Sequence, residues 1–163
     1  MEGPGVHLPA EGWHSPVMGN SLPGAVELPD GAKVRGRGLG RPWPDGPSPD
    51  FGLYLGGAKL RRKHDHKMDW ERAWIRWPDF LLPTDWADAR RRIVDLHERA
   101  VAGEGVEVAC YGGVGRTGTV LSCLATLGGL TADEAVAWAR ANHDKRSVET
   151  PWQRRWVGWF ARQ

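Results

Sequence analysis

Residues 106–121 read VEVACYGGVGRTGTVL, Val106 to Leu121. The opening VEVAC is a short, β-branched apolar run bounded upstream by Gly103 and Gly105, which predicts a buried strand stopping near Cys110. From Gly118 onward, TVLSCLATLG has the length and composition of a buried helix ended by Gly128 and Gly129. Cys110 therefore falls where a strand hands over to a helix. Between the two lie Tyr111, Gly112, Gly113, Val114, Gly115 and Arg116. The glycines let the backbone curl and aim successive N–H groups inward, a nest for a tetrahedral anion at a helix N-terminus. A thiol at the floor of such a nest faces the positive end of a helix, inward amides and the Arg116 guanidinium, all of which favour thiolate over thiol.

Two rival readings compete for the same letters. Gly113, Gly115 and Gly118 also spell G-x-G-x-x-G after a strand, with Asp133 where a dinucleotide site wants a ribose-binding acid. That fingerprint needs a second strand ending at the acid. Thr131 and Glu134 are spaced as a capping box instead, so Asp133 reads as the start of a helix and the nucleotide reading fails. The other rival makes Cys110 a small buried hydrophobe, the usual fate of a free cysteine; a cysteine and an arginine framing a glycine nest weigh against it.

At 163 residues the length suits one domain, 1–163, able to cover both faces of a sheet. A formal charge of +2 gives no ground for a nucleic-acid partner or a membrane surface. Cys110 and Cys123 are the only cysteines, too few for a disulfide framework and suited to a reducing compartment. No leader with a basic and an apolar region opens the chain, and no apolar run reaches membrane-spanning length, so a cytoplasmic location is the expectation.

Residues 1–24 are rich in Gly, Pro, His and Ser and predict irregular surface structure, with Trp13 the residue most in need of cover. Val26 to Leu28 and Lys33 to Arg35 read as two short strands about a Pro-Asp-Gly turn. Arg35, Arg37 and Arg41 follow in RGRGLGRP, either a basic rim for a phosphorylated partner or, as preferred here, a solvated loop. Residues 41–50 are too proline-rich for regular structure, and FGLYL at 51–55 predicts a buried strand. Residues 56–68 read as a charged connector. His64 and His66 flank Asp65 there, but with no further ligands no metal is expected. Ala73 to Trp77 predict a strand, and Thr84 or Asp85 caps a helix running to about Ala102, ended by Gly103. A helix from Thr131 to about Asn142 turns Ala135, Trp138 and Ala139 inward, and one opened by Pro151 offers Trp152, Trp156, Trp159 and Phe160 for packing. Cys123 reads as core.

Cys110, five residues, Arg116 and then Thr117 form a loop that resembles the signature of the cysteine-dependent phosphatases, the protein-tyrosine and dual-specificity superfamily. The usual histidine before the cysteine is replaced by Ala109. Trp77-Pro78-Asp79, after a strand and before a helix, resembles the mobile loop that carries that family's general acid. A second Trp43-Pro44-Asp45 lies in coil, too early in the chain. The segment Arg146 to Gln153, ending Glu149-Thr150-Pro151-Trp152-Gln153, is similar to one whose glutamine lies near the active-site water; a plain surface residue is the competing reading of Gln153. The resemblance implies an α/β fold with a central mixed sheet and helices on both faces. It implies Cys110 as nucleophile, Arg116 and the loop Tyr111–Gly115 as phosphate binders, and Asp79 as acid and then base. Thr117, Gln153, Glu149 and Trp77 take supporting places. It calls for no metal or cofactor and for a phosphorylated protein or peptide as partner. The alternatives are a phosphate- or phosphopeptide-binding module without turnover, and a phosphatase for nucleotides, RNA ends or lipids.

Overall fold

The computed structural model describes residues 21–163. Five strands form one sheet: β1 (Val26–Glu27), β2 (Lys33–Gly38), β3 (Phe51–Gly56), β4 (Glu71–Arg76) and β5 (Val106–Cys110). Their order is β1-β2-β5-β3-β4, with β1 antiparallel to β2 and the other pairings parallel. The sheet is thus mixed and the fold α/β. Because β5 is inserted between β2 and β3, neighbouring connections leave the carboxyl edge of the sheet in different directions. Ligand sites in open α/β sheets form at that edge.

Alternation along β5 sends Val106, Val108 and Cys110 to one face and Glu107 and Ala109 to the other. The first face carries the larger core. It is covered by α2 (Trp86–Val101), α3 (Gly115–Leu127) and α5 (Pro151–Ala161), with α4 (Ala132–Asn142) packed on α3. On α2 the buried residues are Ala89, Ile93, Leu96 and Ala100, one stripe at helical spacing; burying Ile93 and Leu96 stabilises the fold by roughly 1.5–3 kcal/mol each. The Asp85 carboxylate caps this helix by accepting from Asp88 N–H. The second face is smaller: Leu39, Tyr54, Met68, Trp74 and Ala109 pack with Leu60 and Trp70 beneath α1 (Ala58–His64) and a 3₁₀ turn, Asp65–Lys67.

Several sequence expectations are corrected here. The charged connector at 56–68 contains α1, because Lys, Arg and Leu are good helix formers and Leu60 and His64, four apart, give it an inward side. RGRG at 35–38 is strand, neither rim nor solvated loop, and the side chains of Arg35 and Arg37 are more than nine-tenths buried. The helix after the glycine loop begins at Gly115 rather than Gly118, which takes Arg116 and Thr117 into its first turn. Most of the N-terminal segment expected to be irregular, Trp13 included, lies outside the described residues.

Candidate active site

Cys110 ends β5 at the carboxyl edge, and the loop 111–114 carries the chain into α3. Each carbonyl along this bend is bonded on its outer side. Leu39 N–H donates to Cys110 O (2.8 Å) and Gly40 N–H to Tyr111 O (2.9 Å). Arg41 Nε donates to Gly112 O (3.1 Å), His143 Nε2 to Gly113 O (2.6 Å), and Gly118 N–H closes the helix on Val114 O (2.8 Å). A trans peptide that turns its C=O outward turns the following N–H inward. The outer bonds therefore fix the inner donors. Gly113 N–H accordingly donates to Cys110 Sγ at 3.2 Å.

Gly113 has φ +77°, and an added Cβ would lie 2.6 Å from Gly38 N, so both the left-handed backbone and the approach of β2 require glycine there. Thr117 Oγ1 accepts from Cys110 N–H at 3.0 Å and donates to Cys110 Sγ at 3.1 Å, tying the thiol to the first turn of α3. The positive end of that helix faces the sulfur. Cys123, further along α3, is fully buried, and burial pushes its thiol well above the ordinary range.

Arg116 is buried, and its Nη1 donates to Trp77 O at 2.9 Å, which fixes the guanidinium under the end of β4. Its Nε lies 3.4 Å from Asp79 Oδ1, an ion pair without hydrogen-bond geometry, so this buried donor has no acceptor. Asp79 is half exposed and accepts from Phe80 N–H at 3.0 Å. Burial raises the pKa of the Glu149 carboxyl, helped by the negative charge of Asp79. Gln153 is wholly buried, which overturns the surface reading of this residue: its Oε1 accepts from Glu149 N–H (2.8 Å) and Thr150 N–H (3.3 Å) as the far half of a capping box. Cys110, Arg116, Thr117 and Asp79 are thus brought together, with Glu149 beside them and Trp77 beneath. Trp43-Pro44-Asp45 stays in exposed coil.

A family model described as protein-tyrosine phosphatase matches residues 56–148. The chain belongs to the protein-tyrosine phosphatase family. The matched span runs from the end of β3 through Asp79 and the Cys110 loop to the residue before Glu149. Among solved structures, the active form of Tk-PTP superposes with a TM-score of 0.66 at 23% identity, covering 87% of this chain and 99% of that one. Kinase-associated phosphatase, solved with serine in place of its catalytic cysteine, gives 0.57 at 16% identity over 67% of each chain. PTPMT1 in complex with PI(5)P gives 0.57 at 16%, over 69% of this chain and 76% of that one. At these identities the likeness is one of fold. No curated protein matches the chain in sequence.

Sequence reading missed the outer scaffold of the loop: Leu39, Gly40, Arg41 and His143. A bond to a backbone carbonyl has no spacing signature, although Arg41 was noticeable as a cation. The cavity beside this scaffold, about 250 Å³, is lined in part by Gly38, Arg41, Gly113 and His143. A larger hollow of about 480 Å³ lies at the opposite end of the strands, by Asp30, Lys33, Gly103 and Glu104, and is lined by neither cysteine. Among the described residues no group of three or more His, Cys, Asp or Glu side chains is placed to hold a metal, and no helix is long and apolar enough to cross a membrane.

Proposed function

We propose that this protein hydrolyses phosphomonoesters through a cysteinyl-phosphate intermediate, acting on phosphotyrosine in proteins or peptides and on phosphoserine or phosphothreonine besides. The observation that carries this reading is the convergence on Cys110 Sγ of the Gly113 N–H and the Thr117 hydroxyl, with the unpaired Arg116 Nε and the Asp79 carboxyl alongside. The thiolate attacks phosphorus in line with the ester oxygen. A sulfur–phosphorus bond forms as the phosphorus–oxygen bond breaks, and Asp79 gives its proton to the departing oxygen. The inward amides and the Arg116 fork hold the equatorial oxygens, over which charge spreads in a loose transition state.

In the second half Asp79 takes a proton from water as that water attacks phosphorus. The sulfur leaves as thiolate, stabilised by the Thr117 hydroxyl. Gln153 keeps Glu149 and the α5 N-terminus in place behind the attacking water. No step calls for a metal or a cofactor. Exposed Tyr111, Phe80 and Trp152 offer apolar surface beside the loop, which suits an aryl ester. A thiol that must stay reduced suits the cytoplasm.

Cys110→Ser should abolish hydrolysis of para-nitrophenyl phosphate while leaving the melting curve unchanged. If wild-type protein binds phosphopeptide but releases no phosphate, the non-catalytic module is the correct reading. A panel of phosphopeptides, nucleotides, RNA ends and phosphoinositides compared by kcat/KM tests the substrate class, and preference for any of the last three overturns it.

A further inference from the structure

The turn that carries Asp79 is held in place from the far end of the chain. Leu81 N–H closes the turn on Pro78 O at 3.1 Å, and its third residue, Phe80, has φ 61°. Turns reserve this left-handed position for Gly or Asn, and a bulky side chain stays there only where its surroundings over-determine it. Burial does not supply that constraint, since Phe80 and Leu81 are 52% and 51% exposed. Hydrogen bonds supply it. Trp152 Nε1 donates to Phe80 O at 2.6 Å and Trp77 Nε1 to Leu81 O at 2.8 Å, with Gln153 Nε2 a weaker 3.5 Å from the same Leu81 oxygen.

Trp77 belongs to the core, so its bond comes with the fold. Trp152 does not. It stands in the first turn of α5, one turn before Trp156, with 41% of its surface in solvent, so the expectation that it packs on the sheet or on neighbouring helices is corrected. The Thr150–Gln153 capping box makes its mount rigid. Asp79 Oδ1 in turn takes the N–H of Phe80, so the one residue whose carbonyl Trp152 holds also orients the acid through its own N–H.

We propose that Trp152 is a positioning residue: its indole N–H holds the 78–81 turn so that Asp79 stays over Arg116, and the strained backbone of Phe80 swings the turn open when that bond is lost. The kinetic consequence rests on the phosphatase reading; the conformational one does not. Trp152→Phe keeps the ring and removes the donor.

The test combines amide hydrogen exchange at Leu81, followed by NMR, with kcat/KM for phenyl phosphate and for 2,4-dinitrophenyl phosphate, whose leaving group departs without a proton. In Trp152→Phe, Leu81 exchange should rise about tenfold. The phenyl ester should lose roughly tenfold in kcat/KM and the dinitrophenyl ester less than about twofold, as befits a fault in general acid catalysis. Glycine adopts a positive φ freely, so adding Phe80→Gly should restore both exchange and phenyl ester turnover to within about threefold of Phe80→Gly alone. Unchanged exchange overturns the proposal, as does an equal loss on both esters that Phe80→Gly fails to recover. If wild-type protein hydrolyses neither ester while Trp152→Phe still speeds exchange, the latch stands and the phosphatase reading falls.

Discussion

Two polar clusters sit on β5, three residues apart and on opposite faces of the sheet. At Glu107 the charges are spent on each other, with one buried donor, Arg37 Nη1, left over. Its carboxylate is fully buried and accepts from Arg35 (2.6 and 3.0 Å), Arg37 (2.8 and 2.9 Å) and the Tyr54 hydroxyl (2.7 Å). Burial alone would raise the Glu107 pKa, but the Arg37 hydrogen bonds and charge lead the contributions that bring it below the usual carboxylate range. At Cys110 the outer carbonyls are satisfied and the inner donors are left facing the sulfur, with a buried guanidinium nitrogen unpaired. The same strand thus carries a closed cluster that fastens β2, β5 and β3 together and an open one arranged for an anion. Losing a partner from the first should cost stability; losing one from the second should cost turnover.

After loss of the nucleophile itself, the largest expected effect comes from Arg116→Lys. A lysine keeps the charge but replaces a planar fork, fixed by Trp77 O, with a point charge. Turnover of para-nitrophenyl phosphate should fall roughly 10³–10⁵-fold, the range found when an arginine that stabilises phosphoryl transfer is removed. The denaturation midpoint should barely move. A variant that keeps a tenth of wild-type turnover would mean that the unpaired Nε takes no part.

Glu107→Gln tests the closed cluster. Two buried arginines lose their counter-charge, a loss on the order of 3–5 kcal/mol in urea denaturation. The sign with pH follows from the lowered folded-state value. The wild-type contribution is fully present above the unfolded carboxylate pKa of about 4.3 and disappears as pH falls through the lower folded value, so wild type and variant should converge in stability at strongly acidic pH. A variant that loses turnover but not stability would erase the distinction between the clusters.

How much of this was legible in the sequence differs between the two. The spacing of Cys110, Arg116 and Thr117 and the strand before Asp79 carry local signatures, and the residues do meet at one edge of the sheet. The strand–loop–helix order around Cys110 was equally readable, because β-branched, glycine and apolar runs follow one another there. The closed cluster left a fainter trace. Arg35 and Arg37 alternate with Gly36 and Gly38, a period of two that is the mark of a strand, but charge and glycine pulled the reading toward a loop. Glu107 inside VEVAC was the other half of the signal, a buried acid awaiting cations. The roles of His143 and Trp152 had no trace, since each donates to a carbonyl thirty or more residues away.

The smallest effect concerns a charge of the wrong sign at the open cluster. Glu149 Oε1 stands where a side chain on Gly115 would begin, 1.9 Å from an added Cβ, so its carboxylate lies against the anion-binding loop. In its ionised form it repels a phosphate dianion. Glu149→Gln removes the charge and keeps the shape, so inhibition by inorganic phosphate should tighten about 2- to 5-fold at pH 7.5, a difference suited to a solvent-screened site. Because burial and Asp79 hold the Glu149 pKa above its ordinary value, lowering the pH neutralises the wild-type side chain early. The ratio of the two inhibition constants should therefore shrink toward one as pH falls from 7.5, and it is followed with sulfate, whose charge stays constant, because phosphate would itself lose charge over that range. A ratio that stays the same across that range would show that the anion never feels Glu149, and the open cluster would then be more completely positive than its geometry implies.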